Sequence, residues 1–152
     1  AEAVKAVEDA GGRVTPLATG FPLVRVDYIG TKETADDEAA SAIAGLGPHV
    51  AQLDLSNTQV GSGVFDTVSG LPNLVHLDLH GTGVGDEGIG AIAALENLSY
   101  LNLYGTQVGD AGAKELGGLK SLRAVYLWQS KVTKEGAEAL QKSLPEAKVS
   151  IR

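Results

Sequence analysis

Apolar residues along this chain keep two alternating spacings, and the alternation itself returns every 24 residues. The segments "VAQLDLSNTQV" (50–60), "LVHLDLHGTGV" (74–84), "LSYLNLYGTQV" (98–108) and "LRAVYLWQSKV" (122–132) fall into register when the chain is written in rows of 24. In each row apolar and polar residues alternate over a short span, which predicts a half-buried strand with Leu53 and Leu55, Leu77 and Leu79, Leu101 and Leu103, Val125 and Leu127 pointing inward. After a turn the spacing widens: Val84, Gly88, Ile92 and Leu95 recur at helical intervals, as do Val108, Gly112, Leu116 and Leu119, and Val132, Gly136, Leu140 and Leu144. Asp86, Asp110 and Thr133 stand where such helices would want an N-cap. Upstream, Phe21, Val24 and Val26 match the first apolar positions once extra residues near "GTKE" and "GP" are allowed; downstream, Val149 and Ile151 begin a truncated row.

A strand and a helix this short cannot bury their apolar faces alone, so consecutive units must stack, strand beside strand and helix beside helix. The fold expected is a right-handed α/β solenoid, with about six parallel strands on the concave face and helices on the convex face. The whole chain, 1–152, reads as one domain. Residues 1–20 form a capping helix ("AEAVKAVEDAGG", with Val4 and Val7 on one face and Gly11 at its end) and an edge strand at Arg13 and Val14. Residues 21–144 form the repeats, and 145–152 a capping strand that bears Lys148 and Arg152.

The unit "LxxLxLxxTxVxDxGxxxLxxL" resembles the leucine-rich repeat family, in the short 24-residue bacterial type with Thr in place of the usual Asn. The resemblance implies that Thr58, Thr82, Thr106 and Ser130 bond the backbone of the turn. It also implies a non-enzymatic binding role. "AVEDAGGRV" and "YLWQSKVTKEGAEALQKSLPEAKV" are similar to repeat modules of planctomycete-type exported proteins, some of which carry a c-type cytochrome domain. That similarity implies a periplasmic or extracellular place and leaves a cytoplasmic one open. The start at Ala, with no initiator Met, fits a processed product or an excised fragment.

Composition narrows the function classes. A formal net charge of −7 with scattered Lys and Arg argues against a nucleic-acid surface. No apolar run approaches the length of a membrane span. The chain has no Cys, hence no thiolate chemistry and no C-x-x-C-H haem attachment, and no cofactor is called for. "GTGVGDEG" lacks the Lys-Ser/Thr of a phosphate loop and recurs one unit on as "GTQVGDAG", so its glycines belong to repeat turns.

The positions between the inward residues are free of core packing, and candidate chemistry is found there. Taken along the solenoid, three outward columns run Leu23, Gln52, His76, Tyr100, Ala124, Lys148; then Arg25, Asp54, Asp78, Asn102, Tyr126, Ser150; then Asp27, Ser56, His80, Tyr104, Trp128, Arg152. Aromatics are only 5% of the chain, yet three of four Tyr and the only Trp fall on this face. Tyr100, Tyr104, Tyr126 and Trp128 are expected to form one patch across two strands and to anchor a protein or peptide partner. Cross-strand packing for stability alone is the competing explanation. His76, His80, Asp54, Asp78 and Asn102 form the polar half of the face. A metal held by both His is unfavourable, because alternate residues but one lie roughly 13 Å apart on a strand. The paired carboxylates Asp54 and Asp78 are the only candidates for acid-base work, with no nucleophile motif beside them. Two other classes stay open: a glycan-binding module, with rings stacked on sugars, and a passive spacer within a larger exported protein. Nothing in the sequence indicates the oligomeric state.

Overall fold

The computed structural model describes residues 1–151; Arg152, the last residue of the third outward column, lies outside them. Seven strands form one sheet in sequence order: β1 (Arg13–Pro16), β2 (Val24–Asp27), β3 (Val50–Asp54), β4 (His76–Asp78), β5 (Tyr100–Asn102), β6 (Ala124–Tyr126) and β7 (Lys148–Ser150). The six strands β2 to β7 are parallel, and β1 folds back antiparallel on β2 as a hairpin at the first edge. Behind the sheet run α2 (Asp37–Ser41), α3 (Val64–Ser69), α4 (Asp110–Leu116) and α5 (Lys134–Ser143), with α1 (Glu2–Asp9) against the first unit. Strands pair ~4.8 Å apart whereas helices need about 8–10 Å, so the strand side is the shorter arc of a curved stack.

The alternating residues are buried as expected. Leu53, Leu55, Leu77, Leu79, Leu101, Leu103, Val125 and Leu127 join Phe65, Ile92, Leu116 and Leu140 in a core that continues from Val7 to Ala147. Tyr28, the one Tyr off the outward columns, is also part of that core; its hydroxyl donates to the Ala39 carbonyl at 3.0 Å, and burial pushes its pKa up to about 12. The start of the chain follows the pattern too. Helix α1 buries Val7 and ends before Gly11, whose φ of 88° is left-handed. At the other end Val149 and Ile151 pack partly buried on the core.

Three expectations need correction. The helix read at 84–95 is a 3₁₀ turn at Ile89–Ala94, and the second unit likewise passes from α2 into a 3₁₀ segment at Ala42–His49. Gly88 in a left-handed conformation, and Gly90, leave too little helix-forming sequence there for α-helical turns. Second, of Asp86, Asp110 and Thr133 only Thr133 caps its own helix, accepting from the Gly136 amide. Asp86 and Asp110 reach instead into the next unit: Asp86 accepts from the Gly109 amide at 2.8 Å, and Asp110 from the Thr133 amide and hydroxyl, both at 2.7 Å. Asp37, accepting from Gly61, and Ser62, accepting from Gly85, continue this ladder toward the N-terminus. The carboxylates leave room for no side chain beneath them. A Cβ on Gly63, Gly112 or Gly136 would collide with Asp37, Asp86 or Asp110 of the preceding unit respectively, which is why these positions are glycine.

The third correction concerns register. A shift between Val24 and Arg25 pairs Arg25 with Gln52 and Asp27 with Asp54, one pleat away from the alignment read off the sequence. Leu23 therefore leaves the first column, and the middle column becomes Asp27, Asp54, Asp78, Asn102, Tyr126, Ser150.

Candidate functional site

The concave sheet brings the candidate residues together in two dimensions. Along the first column His76 pairs with Tyr100, and their rings stack at 3.9 Å between centroids, 6° from parallel. The next residue in that column is the small Ala124. Tyr126, in the middle column of β6, then packs on Tyr100 with centroids 5.4 Å apart and planes tilted by 48°. Along the third column His80 meets Tyr104 edge-on at 6.2 Å, and Tyr104 meets Trp128 edge-on at 5.8 Å. By register Asn102 lies amid Tyr100, Tyr104, Tyr126 and Trp128. Trp128 keeps half of its surface open to solvent, and the three tyrosines are half-buried. The rings of the third column lie two residues beyond the strand ends, on turns that follow the sheet. Ser56, placed in that column by the sequence, is buried and offers nothing to the face.

The middle column has a second task. The Oδ1 atoms of Asp54, Asp78 and Asn102 each accept, at 3.0 Å, the amide two residues on, from Ser56, His80 and Tyr104. These Asx turns end the strands. The other carboxylate oxygens are engaged unequally. Asp27, buried, accepts from Arg13 Nη2 at 2.8 Å, with Arg25 Nε at 3.7 Å; Asp54 accepts from Arg25 Nη2 at 3.0 Å. Asp78 has no arginine or lysine partner among the described residues. Its Oδ1 also faces His80 Nδ1 at 2.8 Å, and its Oδ2 accepts from Asn102 Nδ2 at 3.4 Å. The Asn57 amide nitrogen lies 3.1 Å from His80 Nε2, an arrangement satisfied when Nδ1 carries the ring proton toward Asp78. Burial, the largest influence, pushes the His76 pKa below 6.5, with Arg25 acting in the same sense and Asp78 and Asp54 opposing. Burial raises the Tyr100 pKa, and Asp78 adds to the rise.

All nine residues singled out by the sequence thus share the concave face. The arginine pairs at Asp27 and Asp54 and the Asn57 contact escaped it. The pairs depend on the shifted first register and on the β1 hairpin, and neither has a sequence signature. No group of three or more His, Cys, Asp or Glu side chains among the described residues is placed to hold a metal ion, and no described helix is long and apolar enough to cross a membrane.

Residues 70–93 and 94–117 match a family model described as Leucine Rich repeat, and both segments coincide with one strand-to-helix unit of the sheet just described. Those two units are leucine-rich repeats, and the chain has the leucine-rich repeat fold. Its fold is shared with a leucine-rich repeat protein of Leptospira interrogans (TM-score 0.60, 22% identity), over 72% of this chain and 27% of that one. It is shared as well with the leucine-rich repeat ectodomain of the Arabidopsis receptor kinase HAESA, solved with a peptide hormone ligand (TM-score 0.54, 20% identity), over 75% of this chain and 19% of that one. The chain therefore spans about a quarter of the length of the first of those proteins and less of the second. No curated protein sequence matches it.

Its Thr-type turns behave as the family resemblance implied. Thr58, Thr82 and Thr106 are buried, and their hydroxyls, with that of Ser130, donate to the carbonyl three residues back at 2.6 to 2.7 Å. Each bond stays inside its own unit, so these hydroxyls close the turn and the units are coupled by other contacts, the shared core and the sheet among them.

Proposed function

We propose that this protein is a non-enzymatic binding module that holds a protein or peptide segment against its concave sheet. Tyr100, Tyr104, Tyr126 and Trp128 serve as anchors, and His76, His80, Asp54, Asp78 and Asn102 as polar neighbours. One observation carries the proposal: four aromatic rings from two adjacent units lie outside the core on one face, packed in pairs as Tyr100 on Tyr126 and Tyr104 on Trp128, with Trp128 half exposed. The fold shared with a receptor ectodomain solved with a peptide hormone supports it by analogy. A periplasmic or extracellular place of work, and residues 1–20 and 145–152 acting as caps of one domain, belong to the same proposal.

A glycan is the second candidate, favoured by the open Trp128 ring. Sugar stacking needs free ring faces, however, and the faces of His76 and Tyr100 are spent on each other. Selection of a peptide display library on the wild-type protein, followed by affinity measurement on Tyr104→Ala and Trp128→Ala, tests the proposal. Hot-spot truncation at Trp128 is expected to weaken selected peptides by about 2 kcal/mol, roughly thirtyfold, with the thermal midpoint little changed. Peptides bound equally well by both variants, or a large loss of stability with binding intact, would return the rings to a packing role and leave a spacer as the better description.

A further inference from the structure

The four rings offer more than apolar area. Tyr100 and Tyr104 flank Asn102 on its own chain segment, and Tyr126 and Trp128 stand on and just after the next strand, so by register the two ring pairs lie on either side of the Asn102 amide. Beside that amide, on β4, lies the Asp78 carboxylate, whose Oδ2 meets Asn102 Nδ2 at 3.4 Å, a long bond. The neighbouring carboxylates at Asp27 and Asp54 are matched by Arg13 and Arg25, whereas Asp78 has only a histidine and an amide. His76, held neutral near pH 7 by its burial in the stack, adds no positive charge. Among the described residues the remaining cation of the face, Lys148, is two strands away from Asn102 and exposed. Aromatic rings beside a polar amide, next to an unmatched carboxylate on a protein of net charge −7, form an environment that attracts a cation.

We infer that the patch of rings around Asn102 takes the cationic side chain, guanidinium or ammonium, of a bound peptide, with the rings of Tyr104 and Trp128 contacting it and Asp78 as its counter-ion. This rests on the peptide-binding role proposed above and adds a rule of specificity to it. A neutral side chain of similar length makes the same apolar contacts and leaves Asp78 unmatched.

Trp128 is the only tryptophan, so its emission reports on the patch directly. The full chain is titrated with acetyl-Gly-Arg-Gly-amide, its Lys analogue and its Gln analogue. The Arg and Lys peptides are expected to change the emission saturably and to bind about fivefold tighter than the Gln peptide, with the difference shrinking as NaCl is raised. Asp78→Asn is expected to bring the Arg peptide down to the level of the Gln peptide. That variant keeps the turn, because Asn102 already accepts the equivalent amide one unit on. Equal binding of Arg and Gln peptides, an Arg preference that survives Asp78→Asn, or no saturable response to the Arg peptide would overturn the inference. None of these outcomes removes peptide binding itself, which fails separately if library peptides ignore Tyr104→Ala and Trp128→Ala.

Discussion

At the scale of single residues, one side chain often serves both the turn and the face. Asp54, Asp78 and Asn102 end their strands by accepting an amide two residues ahead on Oδ1, and the second oxygen or nitrogen of each is left for other partners. Their recurrence every 24 residues was legible in the sequence; their double use was not, because an Asx turn and a ligand-facing carboxylate have the same spelling. His76 gives a prediction at this scale. Its pKa in the folded chain is depressed below 6.5 by burial against Tyr100, while in the unfolded chain it titrates near 6.5. As pH falls through that window the unfolded chain takes up the proton first, so the stability present above about 6.5 is lost toward and below the folded pKa. Denaturant unfolding at steps from pH 7.5 to 5 is expected to show a steeper loss for wild type than for His76→Gln. Parallel curves would mean that the stack does not oppose protonation.

At the scale of elements, contact overrides propensity. Helix propensity alone says that replacing Gly136 near the start of α5 by Ala stabilises by about 1 kcal/mol. Its missing Cβ, however, is where the Asp110 carboxylate lies while accepting from Thr133. Gly136→Ala is therefore expected to destabilise, and Asp110→Ala/Gly136→Ala to regain what the single change loses, a non-additivity measurable by a double-mutant cycle in urea. Simple addition of the two single effects would show that the ladder does not couple the units. The same bonds hold the Asp110 pKa below its ordinary value. The sequence showed an acidic residue and a glycine at fixed spacing and suggested an N-cap. The actual partner lies in the following unit, 23 residues on, and only stacking reveals it. The 3₁₀ segment at Ile89–Ala94 has a similar origin: periodicity is preserved while the Gly-rich backbone tightens to fit between α3 and α4.

At the scale of the molecule, one core runs through every unit, and no unit has apolar cover of its own. Leu77→Ala, in a central strand and fully buried, is expected to cost about 3 kcal/mol and to move the whole unfolding transition without splitting it. A second transition in calorimetry would mean that the stack melts in parts. The 24-residue repeat alone was enough to specify parallel strands, a convex helical side and the identity of the inward residues, because burial enforces the same spacing in every unit. It also put the nine candidate residues on a common face, since alternate residues of a strand point the same way. Tertiary structure decided the rest: the pleat by which β2 meets β3, the arginines that neutralise Asp27 and Asp54 but not Asp78, and the pairing of four rings on either side of Asn102. Those features arise from distances between units, set by how neighbours pack, and a one-dimensional pattern carries no measure of them.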